Sequence, residues 1–124
     1  MSIESIVDAT RAGLAYERLR LDAASRNVAA ANVPIAADAL ATRSAVIGGG
    51  DFAAQVAQEP IATRTVLDPN HPMADANGMV HYPETDMVQE MTTLMTASRG
   101  YEANVRAFNL LRGMMLRALE IGAK

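Results

Sequence analysis

The chain has 124 residues, half of them apolar but only 4% aromatic, with no tryptophan, no cysteine and a formal net charge of −3. That length fits one domain, and its Ala, Val, Leu and Met suit close helix–helix packing better than a deep aromatic core. Lack of cysteine excludes disulfides, thiolate catalysis and cysteine-ligated metal; mixed charges without a basic stripe speak against nucleic acid; and no apolar run approaches the ~20 residues of a membrane span.

Residues 1–32 read as a first helix. Ser2 or Ser5 can cap it, and Glu4 and Asp8 sit where the helix dipole favours negative charge. Val7, Leu14, Leu21 and Val28 recur at heptad spacing, with Ile3, Thr10, Glu17, Ala24 and Ala31 at the complementary position. The pairs Arg18/Asp22 and Asp22/Arg26 add weak i,i+4 support, and Pro34 stops or redirects the chain. No basic residue precedes the first apolar residues, and Arg11 interrupts any longer stretch, so no signal peptide is expected and any export would need a leaderless route.

Residues 33–85 are irregular by comparison. Gly48-Gly49-Gly50 is a flexible break, and the stretches Ala41–Ile47 and Phe52–Ala57 fit strand or helix equally. Ile61–Leu67 alternates and is rich in β-branched residues, Met79–Tyr82 is a second strand, and Asn77-Gly78 supplies turn chemistry between them. One small β-hairpin is predicted.

Residues 86–124 carry the clearest pattern. Thr85 and Asp86 can cap, with Gln89 as a capping-box partner, and Gly122 is a plausible stop. A 4,3 spacing runs through Met87, Met91, Leu94, Ser98, Tyr101, Val105, Phe108, Arg112, Met115 and Leu119, which fits a coiled-coil-like helix and no strand. The expected fold is therefore mainly α: two long terminal helices forming an antiparallel coiled-coil-like hairpin, with a small β-hairpin-containing middle segment. At ~1.5 Å per residue these helices span roughly 45 and 50 Å, longer than the ~35 Å diameter of a compact domain of this size. Val88, Met95, Leu110, Leu111 and Leu116 would flank the hairpin unpartnered and call for neighbouring subunits.

Nothing in the chain assembles a catalytic or cofactor site. His71 and His81 would need further ligands from Asp68, Asp75 or Glu84 at no recognisable metal spacing. Asp75-Ala76-Asn77-Gly78 copies part of a calcium loop but reads as a turn. Gly48-Gly49-Gly50 lacks the Lys-Ser/Thr of a phosphate loop. No enzyme, metal or cofactor is expected. Asn27, Asn32, Asn104 and Asn109 stand on otherwise good helices; they are either surface polarity or contacts that fix register across helix pairs. Arg99 and Tyr101 divide similarly between the hairpin and a neighbouring subunit.

From Leu67 to Gly122 the chain resembles the FlgC type of bacterial flagellar basal-body rod protein. The resemblance rests on Asp68-Pro69-Asn70-His71-Pro72, Ala74-Asp75-Ala76-Asn77-Gly78, Tyr82-Pro83, Ala97-Ser98-Arg99, Tyr101-Glu102-Ala103-Asn104-Val105, Asn109, Met114 and Ala118-Leu119-Glu120-Ile121-Gly122. A looser match covers Arg18–Asp22 and Asn27–Asn32, with Ala30 where the family usually carries Asn, and the middle is shorter than is usual. The resemblance implies a structural subunit of the proximal rod, the periplasmic shaft that carries torque from rotor to hook. It further implies partners among other rod proteins and copies of the chain, and passage through the flagellar type III export apparatus. On this reading Leu14, Leu21, Leu94, Tyr101, Val105, Phe108 and Leu119 pack the seam, Asn27, Asn32, Asn104 and Asn109 set register, and Arg99 joins the contact surface. The rivals are another flagellar axial subunit and a soluble helical-hairpin secretion chaperone, which would be a stable folded dimer.

Overall fold

The computed structural model describes residues 2–49 and 52–123. In chain order it contains α1 (Ile3–Ala30), β1 (Thr42–Gly49), β2 (Phe52–Pro60), β3 (Thr63–Leu67), β4 (Met79–Pro83) and α2 (Met87–Ala123). The protein is mainly α, with two small antiparallel β-sheets.

Helix ends follow local chemistry. Ser2 Oγ accepts from the Ser5 N–H at 3.2 Å, satisfying one of the orphan donors at the start of α1. That helix stops at Ala30, with Ala31 as its C-cap, a full turn before Pro34. Asp86 Oδ1 accepts from the Gln89 N–H at 3.1 Å and starts α2. Gly122 does not end α2, which runs on to Ala123. A Cβ at Gly122 would meet nothing within 4 Å, so no packing contact imposes a stop there.

The middle holds two hairpins where the pattern predicts one. The stretch that fitted strand or helix is the β1–β2 hairpin, paired from Thr42↔Pro60 through Val46↔Val56 to Gly49↔Phe52, with a bulge between Ile47 and Gly49. Gly48 and Gly49 have φ of 84° and 108°, a region open to glycine, and both belong to the paired ribbon, not to an unstructured break. Gly50, the third glycine of the run, lies outside the described residues. The β3–β4 hairpin pairs Thr63↔Pro83 through Leu67↔Met79. Its connection closes on Asp75, whose Oδ1 accepts from the N–H groups of Asn77 (2.9 Å) and Met79 (3.0 Å), with Gly78 at φ 76°. Ile35 adds a bridge to β4 through its N–H to the His81 carbonyl, 2.8 Å.

The helices meet at close quarters. A Cβ on Gly13 would lie 2.5 Å from Asn104 Oδ1, and one on Gly100 2.7 Å from the Glu17 carboxyl, so glycine lets each helix approach the other's side chains. Arg20 Nη2 donates to Thr96 Oγ1 at 3.3 Å. Ascending positions of α1 thus face descending positions of α2, and the helices run in opposite directions. Continuing that register sets Ile3 level with about Met114, so residues 115–123 extend past the start of α1 by roughly 13 Å. The core is thin. Its buried apolar residues are Ala23, Ala24, Ala31, Ala41, Val80 and Ala97.

Candidate assembly surface

α2 changes character along its length. In its first turns Glu90 and Ala97 are 1% and 0% exposed. From Met114 to Ala123 every residue is exposed, including the large apolar side chains Met114, Met115, Leu116, Leu119 and Ile121. Leu110 is 67% exposed on the outer side of α2 beside α1, and on the overhang Leu119 and Ile121 are 68% and 77% exposed. Large exposed apolar side chains grouped at one helix end make it a candidate interaction surface. At its base an apolar cleft is lined by Val7, Phe108, Met115, Leu116 and Leu119, with Arg11 and Arg112 at its rim.

The residues singled out from sequence fall in several places. Leu14, Leu21, Leu94, Val105 and Phe108 are half-buried. Tyr101, 36% exposed, borders a shallow depression with Leu14, Arg18 and Leu21. Leu119, on the overhang, is exposed and borders the cleft with Val7 and Phe108, and Arg99 and Asn109 are exposed. Of the four asparagines, Asn27 is buried, and it bonds to a strand: Nδ2 donates to the Ser44 carbonyl at 2.8 Å and Oδ1 accepts the Ser44 N–H at 2.7 Å. Asn32 accepts from Arg64 Nη2 at 3.2 Å. Asn104 sits at the helix contact beside Gly13, yet its Nδ2 donates to the Gly100 carbonyl of its own helix, 2.9 Å.

Three polar arrangements were not visible in the sequence pattern. Arg43 of β1 donates from Nη2 (2.9 Å) and Nε (3.3 Å) to Oε1 of buried Glu90, and from Nη1 to Glu59 Oε2 at 3.1 Å. Hydrogen bonding to Glu90, opposed by burial, raises the Arg43 pKa further above its ordinary value. Arg64 stacks over Tyr82, 4.4 Å from the ring centroid. His81 Nε2 lies 2.8 Å from Asp75 Oδ2. That contact first, then the Met79 and Asn77 N–H groups, holds the Asp75 carboxyl below its usual pKa. Among the described residues no three His, Asp or Glu side chains are grouped to hold a metal, and no helix is long and apolar enough to cross a membrane.

Comparison with known proteins supplies the class. A sequence model described as "Flagellar basal body rod FlgEFG protein C-terminal" matches residues 76–121, from the end of the β3–β4 connection through nearly all of α2. This marks a rod-type structural subunit. The flagellar basal-body rod protein FlgC of Salmonella typhimurium (strain LT2) is 33% identical over 133 aligned positions, covering 98% of this chain and 99% of that protein. The Yersinia enterocolitica protein of the same name is 32% identical with the same coverage. That of Bacillus subtilis is 40% identical over 75 positions, 60% of this chain and 50% of its own length. The chain belongs to the FlgC family of flagellar basal-body rod proteins, and it is a structural subunit of the basal-body rod.

Proposed function

We propose that the chain builds the proximal rod by polymerising through its two terminal helices, and that the assembled shaft carries torque from rotor to hook. In this reading residues 1–32 and 86–124 are the assembly elements, packed as a coiled-coil-like pair, and 33–85 form a lateral β-structured middle. Its partners are copies of the chain and other rod proteins. It travels through the flagellar type III export apparatus without a cleaved signal peptide, and the work it does is mechanical, not catalytic. The observation that carries the reading is the overhanging end of α2, where Leu116, Leu119 and Ile121 are 53%, 68% and 77% exposed. A polymer needs heterologous contacts that repeat without closing, and a projecting apolar helix end is one half of such a contact. The seam residues Leu14, Leu21, Leu94, Tyr101, Val105 and Phe108 hold the pair together, and Arg99, Asn109 and Leu119 face neighbours. The proposal assigns Asn27 and Asn32 to anchoring the middle and Asn104 to the close helix approach.

The test is the pair Leu116→Asp with Leu119→Asp. Expression and the circular dichroism of the purified chain should stay as in the parent, while swimming is lost and the chain is missing from isolated basal bodies. Normal motility in that strain would remove the overhang from the assembly surface.

A further inference from the structure

The β1–β2 hairpin lies along α1. Ser44, near its base, is bonded to Asn27, and Gly49, near its tip, faces Tyr16: a Cβ there would stand 3.8 Å from the ring. From Asn27 back to Tyr16 is roughly 16 Å of helix, and from Ser44 to Gly49 is roughly 16 Å of strand, so ribbon and helix run side by side. A ribbon resting on one helix along a line can roll about it. Among the described residues, the hydrogen-bonding link from this ribbon to the other helix is Arg43 to Glu90.

That link is an odd choice for stability alone. Glu90 is 1% exposed, and its second oxygen, Oε2, is buried without a hydrogen-bond partner among the described residues. Taking a carboxylate out of water is costly, and apolar residues of similar volume commonly do as well or better in such a place. What an apolar pair does not supply is direction: the two bonds from Nε and Nη2 to one oxygen fix the guanidinium, and with it β1, against one turn of α2.

We propose that Arg43–Glu90 is a positioning contact that stops the β1–β2 ribbon from rolling about α1, and so presents that ribbon to neighbouring rod subunits at a single angle. The first half stands on the geometry; the second rests on the rod reading above. Arg43 also holds Glu59 on β2, so both strands of the ribbon are tied to the anchor on α2.

The full-length chain lends itself to a direct test because it has no native cysteine. Spin labels at Gln55→Cys on β2 and Ser98→Cys on α2, both exposed positions, report the distance from the outer strand to the far helix. In the parent the distance distribution is narrow. In Arg43→Met with Glu90→Leu the melting temperature holds or rises, while the distribution broadens or shifts by ~5 Å, the displacement given by a roll of about 30° at the ~10 Å spacing of packed layers. A narrow, unmoved distribution in the folded double variant overturns the proposal. If that variant does not fold, Glu90→Leu alone, which leaves Arg43 its Glu59 partner, is read by the same criterion. Motility then separates the two halves. A moved ribbon with lost swimming supports both; a moved ribbon with normal swimming overturns the presentation to neighbours, and leaves the rod reading to the Leu116/Leu119 experiment.

Discussion

Along α2, the segment Met87–Ala97 and the segment Met114–Ala123 carry similar apolar content but differ in cover. The first has one face closed by α1 and β1, where Glu90 and Ala97 vanish from solvent, and one open face at Val88, Met91 and Met95. The second has no buried residue; Met115, Leu116 and Leu119 border the open cleft shared with Val7 and Phe108. An amphipathic helix normally ends its apolar stripe where its partner ends. Here the stripe outlasts the partner by about two turns, and that uncovered length is the feature on which the proposed assembly contact rests.

The comparison can be broken most forcefully at its covered end. Ala97→Asp places a charge where nothing is exposed, and is expected to destabilise the chain by ~3 kcal/mol or more in chemical denaturation. Leu119→Asp on the overhang should change stability by no more than ~0.5 kcal/mol. Equal effects would erase the distinction between the two ends.

Glycine substitutions sharpen the same contrast at smaller scale. Gly13→Ala would drive a Cβ to 2.5 Å from Asn104 Oδ1 and force the Asn104 amide off its Gly100 carbonyl. That overpacked contact costs ~1–3 kcal/mol against up to ~1 kcal/mol gained from alanine in the helix, so a net loss is expected. Gly113→Ala, with nothing within 4 Å of the new Cβ, should stabilise α2 by up to ~1 kcal/mol. Thermal melts of the two variants should therefore move in opposite directions.

The smallest expected effect lies in the β3–β4 connection. Because the folded Asp75 carboxyl is held below its ordinary 3.8 by His81 and two N–H donors, its contribution is fully present above that value and is lost as pH falls through the folded pKa. Amide exchange at Asn77 and Met79 should accelerate in acid below that range, beyond the intrinsic rate. Asp75→Asn should remove that excess acceleration and leave only the intrinsic pH dependence.

Much of this fold was written in local chemistry. The Ser2 and Asp86 caps, the heptad rows of both helices and the β3–β4 hairpin all follow from residues within a few positions of one another. The less apolar row of α1 proved the more buried at Thr10, Ala24 and Ala31, because small side chains allow the closest approach. Long-range features escaped. The β1–β2 ribbon is rich in alanine, whose spacing fits either periodicity, and only the pairing of its two strands decides it. Glu90 is unmarked in the sequence; it stands in the first turn of α2, and its partner Arg43 is 47 residues away. Asn27 reads from sequence as surface polarity or a register contact; its bonds to the Ser44 backbone are not legible there because a backbone partner carries no side-chain signature.

The most direct measurement is alkylation of a single cysteine at Leu119→Cys, compared between the purified chain and intact basal bodies from motile cells. Rapid modification of the free chain with strong protection in the basal body is predicted, since the exposed end of α2 becomes covered when the rod is built. Equal reactivity in both would contradict that account.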